Sequence, residues 1–156
     1  MIPFRVTGLA PEPFERLYGL SDAELARLGV LRFVVDSTPG FPDRVEMRDL
    51  EIGERALLLN YTHLEAASPY RSSHAIFVRE GATQRYDRVN EIPDVMRNRP
   101  LSLRAYDASH MLLAADLVEG RAIESLIEHF LSDAKVAYIH AHNAKPGCYS
   151  GRIDRA

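Results

Sequence analysis

Hydrophobic and polar positions change period several times along the chain. Pro3 to Leu9 alternates weakly and predicts an opening strand, and Ala10-Pro11-Glu12-Pro13 leads into a short helical segment ending near Gly19. Ser21-Asp22-Ala23-Glu24 has the spacing of a capping box, in which the Ser21 hydroxyl accepts from the Glu24 amide while the Glu24 carboxylate reaches back. Leu20 stands at the staple position and Gly29 ends that helix. Val30 to Asp36 is apolar and β-branched, as a strand requires. Thr38-Pro39-Gly40-Phe41-Pro42 breaks it, because neither proline can donate to a ladder. Arg44 to Met47 is expected as a short strand, and Ile52-Gly53-Glu54 as a turn before a strand over Arg55 to Thr62. Leu57-Leu58-Leu59 is apolar on both parities, which predicts a central strand covered on both faces.

Residues His63 to Ser73 read as a loop, followed by a strand at His74 to Arg79 that breaks at Glu80-Gly81. Ile92 to Asn98 predicts a helical turn. Leu101 to Tyr106 and Met111 to Val118 are joined by Asp107-Ala108-Ser109-His110, a hairpin connection. Ile123, Leu126, Ile127, Phe130 and Leu131 recur at three- and four-residue spacing, with Glu124, Glu128 and His129 off the stripe, so a helix buries one face here. Val136 to His142 follows as a strand, and Lys145-Pro146-Gly147-Cys148 places proline and glycine as a type II turn wants them. The order predicts an α+β fold: a mostly antiparallel sheet with two or three helices packed against it, in a single domain over residues 1–156.

Composition narrows the class. The 156 residues are 46% hydrophobic and 26% charged, the balance of a soluble globular protein, and no apolar run approaches the roughly 18 residues of a membrane span. The N-terminus lacks a basic patch followed by an apolar segment, so a cytoplasmic location is expected and no membrane partner. The one cysteine, Cys148, excludes an intramolecular disulfide and a multi-cysteine zinc site. Nineteen basic and twenty-two acidic residues are interleaved, giving a net charge of −3 without the basic face that nucleic-acid binding uses. All the basic residues except Lys135 and Lys145 are arginine. Anion recognition would explain that preference, but the arginines are scattered, which favours codon usage in the source genome.

Several segments form a set: Gly53-Glu54 before Leu57-Leu58-Leu59-Asn60, Ser68-Pro69-Tyr70-Arg71, Ile76-Phe77-Val78-Arg79, Leu103-Arg104-Ala105-Tyr106-Asp107, and His140-Ala141-His142-Asn143-Ala144-Lys145-Pro146-Gly147-Cys148-Tyr149. In this order, over nearly the whole chain, they resemble the bacterial proteins of domain of unknown function family 1203. The resemblance implies a bacterial single-domain protein and carries no activity, substrate or catalytic residue with it.

The sharpest candidate for chemistry is His140-Ala141-His142. In a strand, side chains two apart share a face with Cα atoms about 7 Å apart, so Tyr138, His140 and His142 line one side while Ile139 and Ala141 pack on the preceding helix. Such a pair can converge on a transition metal or on an anionic ligand. Two ligands are too few for a metal, and further donors would come from His63, His74, Asp107 or Asp116, so a metal cofactor is open but not favoured. Cys148, with His142 and Asn143 near it in sequence, suggests a thiol nucleophile. Strand pairing across the turn, however, sets Cys148 on the face of Asn143 and Tyr149 on the face of His142, and a lone cysteine is commonly a small buried hydrophobe.

The loop after the central strand adds Tyr70, Arg71 and His74, which compose either a polar binding site or a stapled connection. Arg104 shares a strand face with Ser102 and Tyr106, as a cleft cation or as an exposed ion-pairing group. Two functions compete. One is a small enzyme or ligand-binding protein whose pocket gathers Tyr70, Arg71, His74, His140, His142 and Asn143 around a small anionic or metal-chelating ligand. The alternative is a non-catalytic interaction or structural module, a homodimer among its forms, that exposes an apolar patch or a strand edge.

Overall fold

The computed structural model describes all residues, Met1–Ala156. Nine strands and four helices follow in the order β1 (Phe4–Thr7), α1 (Glu12–Glu15), α2 (Asp22–Arg27), β2 (Leu31–Val34), β3 (Arg55–Leu64), β4 (Ser72–Arg79), β5 (Asp87–Val89), α3 (Asp94–Arg97), β6 (Pro100–Tyr106), β7 (Leu112–Glu119), α4 (Ile123–Leu131), β8 (Tyr138–Asn143) and β9 (Tyr149–Arg155). A six-stranded sheet runs β5-β1-β9-β8-β6-β7 and a three-stranded sheet runs β2-β3-β4. Every pairing is antiparallel. The α+β expectation holds, with four helices rather than two or three: all four fall in segments expected to be helical, and α1 and α3 are single turns.

The period-3.6 stripe does what it predicts. Ile123, Ile127, Phe130 and Leu131 of α4 pack on Leu101, Leu103, Ala105, Ile139, Ala141 and Ile153, which are the inward residues of β6, β8 and β9. A second cluster joins Leu57, Leu59, Ile76 and Val78 of the smaller sheet to Phe14, Leu17 and Leu25 around α1 and α2, and to Tyr149 of β9. The end of β3 reaches the larger sheet through Leu64, which packs on Tyr106 and Tyr138. The face of β8 opposite α4 is therefore covered by β3. The Ser21 capping box forms as expected, with Glu24 N donating to Ser21 Oγ at 3.1 Å and Ser21 N to Glu24 Oε2 at 2.8 Å.

Two sequence expectations fail for identifiable reasons. Arg44 to Met47 is not a strand: the Arg44 carbonyl accepts from Leu9 N, the Val45 carbonyl accepts from Tyr86 N, and Arg44 N donates to Phe77 O. Its backbone groups are thus spent on three different neighbours, and Met47 turns to a φ of 54°. The loop expected over His63 to Ser73 is shorter, because β3 and β4 stay paired through Thr62↔Ser73 and Leu64↔Ser72, with a bulge at His63. The short edge strand β5 was not anticipated.

Deleting core volume in α4 tests this packing. Ile127→Ala should lower the unfolding free energy by about 3 kcal/mol in urea titration, whereas Glu128→Ala on the wet face should change it by less than about 0.5 kcal/mol.

Candidate functional site

On the face of β8 away from α4, His140 and His142 meet a third imidazole. The bulge in β3 turns His63 toward them, and the ring centroids stand 4.9 Å apart for His63–His142, 6.0 Å for His63–His140 and 6.5 Å for His140–His142. Tyr149 stacks on His63 at 5.3 Å with the planes 8° apart. The hydrogen bonds set the ring protons. His142 Nδ1 lies 2.9 Å from the Gly147 carbonyl, which can only accept, so Nδ1 carries the proton and Nε2 keeps its lone pair. His63 Nε2 shares a 2.8 Å hydrogen bond with Ser72 Oγ. Three buried nitrogens in the group have no partner: His63 Nδ1, His140 Nδ1 and His142 Nε2.

Burial disfavours the imidazolium on all three. It pushes His140 down to about 3, helped by the charges of His142 and His63. It pushes His142 down to about 3 against the opposing hydrogen bond to Gly147, and His63 down to about 4 with a contribution from Arg104. The cluster is neutral at physiological pH, the state in which imidazole ligates metals and exchanges hydrogen bonds with ligands. A cavity of about 180 Å³ opens beside it, lined by His63, Glu65, His110, Tyr138, His140 and Arg152 among others. These histidines are the residues from which a metal centre could be built, yet no group of three or more His, Cys, Asp or Glu stands at ligating spacing.

Cys148 faces elsewhere. The pairing inferred from the turn is observed, since Asn143 N donates to the Cys148 carbonyl and His142 pairs with Tyr149. The register shift in β9 lies beyond Cys148, between the Ala141↔Gly151 and His142↔Tyr149 pairs, and does not bring the thiol round to the imidazoles. Sγ instead accepts from Arg44 Nη2 at 3.0 Å and from Asn143 Nδ2 at 3.5 Å. Arg44, only 2% exposed, also donates from Nε to the Tyr149 carbonyl at 2.8 Å and from Nη1 to the Pro42 carbonyl at 2.7 Å. None of its partners is a carboxylate, and burial works against its charge.

Cys148, Arg44 and Asn143 line a cleft of about 520 Å³ together with His74, Phe77 and Arg99, and no aspartate or glutamate lines it. Arg99 is held by Asp49, with Nη1 and Nη2 at 3.0 and 2.5 Å from its two oxygens. A smaller adjoining cavity of about 240 Å³ shares Arg99 and Asn143 and adds Lys145.

The candidate set drawn from sequence is thereby divided. His140 and His142 belong to the imidazole cluster, while His74, Asn143 and Cys148 line the cleft. Tyr70 and Arg71 line neither. Arg71 donates from Nη1 to the Glu65 carbonyl, Tyr70 N donates to Ser68 Oγ at 3.1 Å, and Ser68 Oγ donates to the His110 carbonyl at 2.7 Å, so this loop is stapled to the body. Arg104 bonds Ser102 Oγ at 3.4 Å and adds positive charge near all three clustered histidines. Arg44 and Arg99 were missed by sequence reasoning. Nothing local separates them from the other arginines, since burial is what makes Arg44 unusual.

Fold and site together define a small α+β protein with two antiparallel sheets, a neutral imidazole cluster between them and an arginine-lined cleft that holds its single cysteine. Residues 40–155 match the family described as "Protein of unknown function (DUF1203)", and the chain belongs to that family. No curated protein and no solved structure matches it. No helix is long and apolar enough to cross a membrane.

The imidazole cluster makes stability depend on pH. The unfolded chain takes up protons on these histidines below about pH 6.5 and the folded chain does not, so their contribution is complete above that pH and is lost as pH falls toward 4. Urea unfolding between pH 7 and 5, before most carboxylates titrate, should show stability dropping by up to about 1.4 kcal/mol per pH unit for each histidine. A flat profile there would mean that the rings already accept protons in the folded state.

Proposed function

We propose that the protein binds a small anionic ligand in the cleft beside Cys148, as a ligand-binding protein or a small enzyme. The observation that carries this reading is Arg44. A guanidinium with almost no exposure is normally neutralised by a carboxylate, and this one has two carbonyls and a sulfur. Three of its nitrogens make one hydrogen bond each, which leaves two of the five N–H groups of a guanidinium uncommitted. The cleft adds Arg99 and the Asn143 amide, and Lys145 stands in the adjoining cavity. The neighbouring Asp43 carboxylate acts on Arg44 through its charge but spends its oxygens on the Arg79 and Glu46 amides, and a carboxylate or phosphate group would supply the hydrogen-bonded negative partner that Arg44 lacks.

The interaction-module reading rests on a different observation. Strand β2 is an edge of the smaller sheet, and its Leu31, Phe33 and Val34 are exposed. Pairing with a second copy through that edge would appear as a dimer in sedimentation equilibrium, and a monomer at all concentrations would remove it.

Oxalate and inorganic phosphate, titrated against chloride at matched ionic strength, test the anion site by thermal unfolding. Ligand at ten times its Kd should raise the unfolding free energy by about 1.4 kcal/mol, and Arg44→Met should abolish that increment. Equal responses in the wild type and in Arg44→Met, or no response to either anion, would overturn the reading.

A further inference from the structure

Leu57-Leu58-Leu59 is apolar on both parities, yet only one face of its sheet is closed. Leu57 and Leu59, with Ile76 and Val78, pack toward α1 and α2. On the opposite face the register aligns Phe77 of β4, Leu58 of β3 and Leu31 of β2 in one row. Phe77 and Leu58 are half-buried there, and Leu31 is 54% exposed. The apolar pattern calls for a cover that the fold does not supply. We infer that this row holds the alkyl chain of an amphipathic anion, an unbranched chain of about eight carbons ending in the carboxylate that Arg44 binds. The choice of head group rests on the anion-binding reading, and the choice of chain does not.

The cleft carries both halves of such a ligand. Leu58 and Phe77 line the same space of about 520 Å³ as Arg44, and Pro39, Pro42 and Pro146 extend its apolar wall. Small-molecule sites of roughly 300–1,000 Å³ are mostly apolar, with a few polar groups that fix orientation, and an oxalate or phosphate ion alone would leave the apolar wall unused. Arg44 marks the Phe77 end of the row, since its backbone N donates to the Phe77 carbonyl at 3.2 Å. Arg99 shares its charge with Asp49, so Arg44 is the anchor. With no aspartate or glutamate lining the cleft, no like charge opposes an anionic head group, and a cationic one would leave the free N–H groups of Arg44 unmet.

Length follows from sheet geometry. Neighbouring strands lie about 4.8 Å apart, so the row from Phe77 across Leu58 to Leu31 spans about 10 Å, the reach of an extended alkyl chain of about eight carbons. Two further rings flank it, with Phe41 and Phe33 at centroid distances of 5.0 and 6.1 Å from Phe77. Phe33 is 38% exposed, so the flank is open to a chain approaching from solvent.

A homologous series tests the inference. Isothermal titration of the full chain with butanoate, hexanoate and octanoate at pH 7 and matched ionic strength should give one site, with Kd falling about threefold to fourfold for each buried methylene. The gain should stop once the chain passes Leu31, so decanoate should bind no more than about twofold tighter than octanoate. Octan-1-ol and octylammonium, which lack the anionic head, should bind about tenfold or more weakly than octanoate. Leu31→Ser, at an exposed position, should remove the gain from hexanoate to octanoate and leave the circular dichroism spectrum unchanged. A Kd that is flat along the series, with oxalate still raising the unfolding temperature, overturns the amphipathic ligand and leaves the anion site standing. Octan-1-ol binding as tightly as octanoate overturns the anchored head group, and loss of the oxalate response beside it removes the anion site as well. Several unsaturable sites per chain mean detergent-like adsorption and overturn the inference. So does a stable dimer that binds no alkanoate, in which a second copy covers the row.

Discussion

Strand β8 has every one of its six side chains buried, and the architecture on both sides follows from that constraint. Ile139 and Ala141 face α4 and complete an apolar core. Tyr138, His140 and His142 face β3 and cannot be left to water, so the fold must supply polar and aromatic neighbours inside. It does so with His63, Tyr106 and Tyr149, packed edge-to-face or stacked at centroid distances between 4.9 and 6.0 Å. A central strand with one apolar and one imidazole face thus joins two layers that would otherwise share little.

The same closure buries a charged dipeptide. Asp43 and Arg44 are 1% and 2% exposed, in the segment that crosses from β2 to β3. Burying a charge costs several kcal/mol unless hydrogen bonds replace its water. Asp43 meets that cost with backbone amides, accepting from Arg79 N at 2.6 Å and Glu46 N at 2.5 Å. Arg44 meets it only in part, through two carbonyls and the Cys148 sulfur. The asymmetry between these neighbours is what distinguishes the cleft from the rest of the surface, where arginines such as Arg48, Arg79 and Arg97 end on glutamates.

Local signals were legible wherever one element carries them alone. The capping box at Ser21 and the α4 stripe read directly, and so did the hairpin between β6 and β7 and the alternation that puts both β8 histidines on one face. The separation of Cys148 from His142 was legible too, because antiparallel pairing alternates faces and the loop between them is even. The Arg44 to Met47 segment misread for the complementary reason: its apolar content suits a strand, but its hydrogen-bond partners lie in three distant segments.

The sequence by itself determined the class of the fold, the buried face of α4 and the pairing of His140 with His142, because period and cap chemistry act over a few residues. Only the tertiary structure decided that His63 joins them, since a single bulged residue in β3 re-aims its side chain and no composition marks the bulge. Only the tertiary structure likewise chose Arg44 from among many arginines and set it on the sulfur of Cys148. Burial and charge compensation are properties of what surrounds a residue, and those surroundings come from segments far apart in sequence, as Arg44 and Cys148 are.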